Sequence, residues 1–159
     1  MSDSPFQIRL AHADDDDFIV GLVPRFVDFP LPAWRRRNEC IEGIRKDLTR
    51  HLEDSPANSF MFVAEDRDDG RRLGFVHLQK VTDFFNGRTN CHISDLAVAK
   101  GQDGRGIGRA LLEYSREWAL EHHCHSVTLA VFPGNERARR MYEAAGFGVD
   151  LVRMTLPLT

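Results

Sequence analysis

Apolar residues follow two alternating periods along the chain. Phe6, Ile8 and Leu10 alternate with Gln7, Arg9 and Ala11, the two-residue period of a half-buried strand. His12 to Asp17 reads as a turn and helix start, where a helix dipole favours the four aspartates Asp14 to Asp17. Phe18, Leu22 and Phe26 recur at helical spacing, and Pro24 is predicted to kink or interrupt that helix. Pro30 and Pro32 enforce a loop. Trp34, Ile41, Ile44, Leu48 and Leu52 then form one face of a second helix ending near Glu53, with Arg35, Arg36 and Arg37 as a solvated charge run at its start.

The two-residue period returns at 59–65 and 73–81, joined by the turn Asp66 to Gly70, which predicts an antiparallel hairpin. A turn containing Asn86-Gly87 leads into the fourth strand of the chain, 89–99, so strands two, three and four form a meander. Ile107, Leu111, Tyr114 and Trp118 make a helical stripe that ends near His122. Residues 126–132 are apolar enough for a strand in the sheet interior, and Pro133-Gly134 stops it. Asn135 is placed to cap a short helix with Ala138, Met141, Tyr142 and Ala145 on its inner face. Gly146 ends that helix, and Phe147 begins a last strand through about Leu156.

A length of 159 residues fits one domain, 1–159, able to bury a core without staples. With 42% hydrophobic and 28% charged residues the composition is that of a soluble globular protein. No apolar run reaches a bilayer span and the polar start Met1 to Ser4 has no secretory core, so the expected compartment is cytoplasmic, with no membrane partner. A net charge of −3 leaves no basic footprint for nucleic acid. Cys40, Cys91 and Cys124 lack metal or disulfide-framework spacing and read as free thiols. His122, His123, Cys124 and His125 crowd together where a helix runs into a strand. Their side chains diverge there, so no metal is expected.

The stretch from Ser94 to Leu112 carries the clearest chemistry. A short apolar run ends, Gly101, Gly104, Gly106 and Gly108 follow within eight residues, and a helical pattern begins. Strand, glycine loop and helix start together make an anion site, because unpaired N–H groups point outward with the positive end of the helix dipole behind them. A Walker A loop needs Lys-Ser/Thr after its last glycine, and Arg109-Ala110 stands there instead. A dinucleotide fingerprint needs the loop after the first strand of a parallel unit, whereas this one follows the fourth strand of a meander.

Val98 to Leu112 resembles motif A of the Gcn5-related N-acetyltransferases, Arg/Gln-x-x-Gly-x-Gly/Ala after the fourth strand. Asn135 to Phe147 is similar to a second signature of that family, Asn-x-x-Ala-x-x-x-Tyr-x-x-x-Gly-Phe, at every marked position. The segments around Ile8-Arg9, Asp15-Asp16, Val63 to Glu65 and Leu73 to Val76 are similar as well; 24–58 matches least. The resemblance implies an α+β fold, an α/β sandwich-like mixed sheet of six to seven strands with about four helices. Its order is strand, helix, helix, three strands, helix, strand, helix, strand.

It also implies acetyl-CoA as cosubstrate and a primary amine, on a small molecule or a peptide, as acceptor, with direct transfer in a ternary complex and no metal. Gly104, Arg105, Gly106, Ile107, Gly108 and Arg109 would hold the pyrophosphate. Leu96, Ala97 and Val98 would take the pantetheine arm as an added strand, and Asn135 and Ala138 complete the cofactor set. Tyr142 matches the general acid that reprotonates the CoA thiolate. The base is less defined: Asp95 is the leading candidate, with His92 or Glu65 acting through water, and strand alternation predicts Asp95 and His92 on opposite faces. Phe26, Phe29 and Trp34, with the regions near Phe84 and Val149, are expected around the acceptor. Dimerisation is common among such proteins, so a homodimer is a further implication. One departure is Asp103, an acidic residue in the Arg/Gln slot, which must turn away from the phosphates. It also motivates an alternative, a CoA-binding regulatory or sensor domain with little turnover.

Overall fold

The computed structural model describes residues 4–158; most of the polar start, Met1 to Asp3, and Thr159 lie outside the described residues. One sheet runs in chain order: β1 (Phe6–Leu10), β2 (Ser59–Asp66), β3 (Arg72–Thr82), β4 (Thr89–Val98) and β5 (Ser126–Leu129). The first four strands are antiparallel neighbours and β5 lies parallel to β4, so the sheet is mixed. The helices are α1 (Asp16–Gly21), α2 (Arg37–Asp54), α3 (Ile107–Glu121) and α4 (Glu136–Ala144). The α+β class and the predicted order hold through α4.

Strand alternation divides the core in two. Phe62, Leu73, Val76, Leu78 and Ile93 face α3, which covers them with Ile107, Leu111 and Trp118. Met61, Val63, Phe75 and Ala97 face the other way, beneath Ile19, Leu22 and Leu48 from the α1 and α2 side. The predicted kinked first helix resolves into α1 and a 3₁₀ turn, Val23–Val27, because Pro24 has no N–H to continue an α-helix.

The aspartate run has an anchoring role beyond capping. Asp15 is fully buried, accepts two bonds from Arg9 at 2.8 and 2.9 Å and one from Arg72 Nε at 2.6 Å, and takes the His12 N–H at 2.9 Å. These donors outweigh its burial and hold its carboxyl well below the usual carboxylate range. The cluster ties the start of α1 to β1 and β3.

Two strand expectations are corrected. β5 ends at Leu129 rather than 132, and no strand forms over 147–156, so among the described residues the sheet has five strands, not six or seven. Val149, Leu151, Val152, Met154, Leu156 and Leu158 are instead 72–89% exposed. A strand exists only as part of a hydrogen-bonded ladder, and no strand of the sheet pairs with this apolar stretch.

Candidate active site

β4 and β5 pair only from Asn90 to Ile93 and from Ser126 to Leu129. Beyond that point the strands no longer pair, and a cleft of about 850 Å³ lies between the free part of β4, the glycine loop, the start of α3 and α4. Gly104 and Gly106 have φ of +83° and +78°, a left-handed backbone that a side chain would strain. This path turns the chain into α3 with Gly106 as its N-cap, leaving the first-turn N–H groups of Ile107, Gly108 and Arg109 without intrahelical partners. At Gly108 a Cβ would stand 3.3 Å from Met141 Sδ, so the absent side chain lets α4 approach α3 closely.

The structure brings together the eleven residues expected around a cofactor: Leu96, Ala97, Val98, the six from Gly104 to Arg109, Asn135 and Ala138 all line this cleft. Asn135 caps α4 as expected, its side chain accepting the Ala138 N–H at 3.3 Å. Tyr142 lines the same cleft, its ring 5.8 Å from that of Phe147, and burial pushes its phenol above the ordinary range.

Asp95 stands next to Leu96, just outside the lining, with its side chain 12% exposed and its Oδ2 accepting from His77 Nδ1 at 2.9 Å. The expectation that His92 and Asp95 point to opposite faces is overturned. His77 pairs with Asp95 and Leu78 with Ile93, so Ser94 is an extra residue, a bulge that resets the alternation. Cys91, Ile93, Leu96 and Val98 therefore share the α3 face, and His92 and Asp95 share the other. His92 Nδ1 lies 2.8 Å from Thr128 Oγ1, and burial lowers its pKa. Glu65 lies outside the cleft with its carboxylate engaged by Arg9 and Gln7 at 2.9 and 2.8 Å.

Asp103 does not turn away from the cleft. Both its oxygens lie 3.2 Å from Arg25, and Arg137 approaches to 3.6 Å. Arg25 also donates to Val98 O at 3.2 Å and pairs with Asp28 at 3.1 Å. Two guanidiniums thus flank the one carboxylate in the loop. Sequence reasoning passed over Arg25, Asp28, Arg137 and Met141. Arg137 was visible as a first-turn residue of the α4 signature, whereas Arg25 follows an interrupted helix and carries no local signal.

The segment after α1 contributes Arg25, Asp28 and Phe29 to the cleft lining. Arg37 donates to Val27 O and Phe29 O at 2.9 and 2.7 Å, so this part of the exposed arginine run also serves as an anchor. Phe29 reaches the cleft and lies 5.9 Å from Phe132. Pro30 packs so tightly on Gly134 that a Cβ there would collide with its carbonyl oxygen. Of the other residues expected near an acceptor, Phe26 packs edge-on against core Phe75, and Trp34, Phe84 and Val149 are exposed and outside the lining.

Among the described residues no helix is long and apolar enough to cross a membrane, and no group of three or more His, Cys, Asp or Glu side chains could hold a metal.

The model of the acetyltransferase (GNAT) family matches residues 25–147. A mycothiol acetyltransferase of Propionibacterium freudenreichii is 38% identical over 148 residues, covering 91% of this chain and 44% of that protein. N-alpha-acetyltransferase 40 of Saccharomyces cerevisiae is 40% identical over 154 residues, covering 86% of this chain and 54% of that protein. The chain therefore spans about half the length of these two relatives. A solved Pyrococcus furiosus protein described as an acetyl transferase superposes with a TM-score of 0.76 at 27% identity, covering 96% of this chain and 99% of its own. The cleft at the parting of β4 and β5 is thus built on the fold of a known group of enzymes, and the chain belongs to the acetyltransferase (GNAT) family.

Proposed function

We propose that this chain is a single acetyltransferase domain that moves the acetyl group of acetyl-CoA to a primary amine by direct transfer in a ternary complex. The observation that carries the reading is the union, in one cleft, of an N–H-rich helix start, a strand edge that has lost its neighbour, and a half-buried tyrosine. The first turn of α3 and the left-handed glycines suit a pyrophosphate, which needs several donors and no intruding side chain. Arg105 and Arg109 add positive charge beside it. Leu96 to Val98, no longer paired with β5, suit an extended amide-bearing arm that adds to the sheet as a strand.

Transfer needs a neutral amine and a protonated leaving group. An alkylammonium with a pKa near 10 is neutral only about once in a thousand at pH 7, so a nearby base speeds the step. Asp95 stands at the end of the free stretch of β4 and takes that role. Tyr142 gives its proton to the departing thiolate. Its ordinary pKa of about 10 exceeds a thiol's of about 8.5, and burial keeps the phenol protonated across the neutral range. Aromatic Phe29 and Phe132 and acidic Asp28 suit an acceptor carrying a positive charge. One relative is named a mycothiol acetyltransferase and another N-alpha-acetyltransferase 40, and these names support a reading in which the acceptor is an amine.

The sensor reading rested on Asp103, and the arginines beside that residue remove its motive. Saturating acetyl-CoA is expected to raise the melting temperature, since a ligand at about 100 times its Kd stabilises by about 2.7 kcal/mol. CoA release with spermidine, a lysine peptide, a free-amine N-terminal peptide and an aminoglycoside then identifies the acceptor. No thermal shift with acetyl-CoA, or no release with any amine, would refute the corresponding half of the proposal.

A further inference from the structure

The apolar contact between α2 and the sheet gives way to a polar row toward the β4–β5 fork. One step beyond Met61, Phe75 and Ala97 on the same face stand Ser59, His77 and Asp95, and one turn beyond Leu48 on α2 stands His51. His77 is fully buried, with Nδ1 2.9 Å from Asp95 Oδ2 and Nε2 2.7 Å from Ser59 Oγ. Ser59 Oγ lies 3.1 Å from His51 Nδ1, and the two imidazole rings are 4.6 Å apart. One complete donor–acceptor order runs through the row: His77 Nδ1–H donates to Asp95, Nε2 accepts the Ser59 hydroxyl proton, and that oxygen accepts from His51 Nδ1–H. Burial lowers the pKa of His51, which favours the neutral ring this pattern needs. Among the described residues no buried side-chain nitrogen or oxygen lacks a partner.

Four polar groups in a helix–sheet contact cost more desolvation than an apolar row of the same volume. We propose that His77 is a positioning residue for the acetyl transfer: it holds Asp95 by Oδ2, leaving Oδ1 for the acceptor ammonium, while Ser59 and His51 fix the tautomer of the ring. This rests on the acetyltransferase reading above. In the step itself the N–H bond of the ammonium breaks, its electron pair stays on nitrogen, and the proton forms an O–H bond at Asp95 Oδ1. The freed amine can then attack the thioester. The donor from His77 keeps the carboxylate in one rotamer until that moment. The other ionisable groups around the chain are His92 on β4 and Asp47 and Arg50 on α2.

The test uses H77F, H77N, S59A and D95N of the full chain, with acetyl-CoA and the four-amine panel as probes. H77F should lower kcat/KM for the amine by about 100-fold, the scale of general-base catalysis, with the acetyl-CoA thermal shift kept. H77N retains an N–H at the Nδ1 position and should recover most of that loss. H77F added to D95N should cost no more than D95N alone, because both act on one carboxylate. S59A should shift the acid limb of the kcat/KM profile. Nitrogen-15 imidazole spectra of the wild-type protein should show the Nδ1–H tautomer at both His77 and His51, and they decide the matter if H77F does not fold. An Nε2–H tautomer at His77, an unchanged amine kcat/KM in folded H77F, or an H77N as impaired as H77F would overturn the proposal. Loss of the acetyl-CoA shift in the wild-type protein would instead overturn the activity reading.

Discussion

The arginine pair at Asp103 can be tested by a double-mutant cycle on CoA binding. Two unit charges 3.2 Å apart attract by about 5 kcal/mol at an effective dielectric of about 20. Arg25 and Asp103 are 26% and 37% exposed, so solvent and salt reduce the net value to about 1 kcal/mol or less. What matters for an anionic ligand is the charge left behind. In R25A, Asp103 keeps only Arg137, at 3.6 Å on a side chain 73% exposed, and its negative charge faces the phosphates poorly compensated. R25A should therefore weaken CoA binding by about tenfold, or about 1.4 kcal/mol. If Arg25 serves to neutralise Asp103, the same change in a D103A background should cost about threefold or less, with D103A alone binding CoA at least as well as the unmodified protein. Titration calorimetry at low and high salt reads all four corners of the cycle, and the coupling should shrink as salt rises. Equal costs of R25A in both backgrounds would refute this account and make Arg25 a direct ligand contact.

Other outcomes follow from single contacts. Y142F should leave CoA affinity intact and lower kcat by about 100-fold, read by CoA release at saturating amine. G134A drives a Cβ into the Pro30 carbonyl and should cost about 1–3 kcal/mol by denaturant unfolding, with a raised KM for the amine as the 29–34 segment is displaced. G43A, in the middle of α2 with open space around its Cβ position, should stabilise by about 0.5–1 kcal/mol. D15N leaves Arg9 and Arg72 facing a neutral amide and should cost about 3–5 kcal/mol. Because the folded state depresses the Asp15 pKa, its contribution is full above the unfolded value near 4 and is lost as pH falls below that. The acid limb of stability should accordingly be flatter in D15N, as followed by urea unfolding at several pH values.

What the sequence made legible and what it hid divide along a physical line. The glycine loop, the Asn135 cap and the Tyr142 position are local: they depend on backbone conformation and helical spacing within about a dozen residues, and all of them line one cleft. The 147–156 stretch shows the limit of that logic. Its apolar alternation is that of a strand, but strand formation depends on a neighbour that no local pattern specifies. Asp95 and His92 mark a second limit. Period-two counting separates them, and a single bulged residue, Ser94, returns them to one face. The third limit is electrostatic. Asp103 looked unfavourable because its compensating charges, Arg25 and Arg137, lie 78 and 34 positions away in the chain. The same holds for His77, whose partners come from α2, β2 and β4 and share no motif. Residues that touch the cleft through backbone geometry are therefore readable in advance, whereas those that set the charge and proton state of the site emerge only when distant elements pack together.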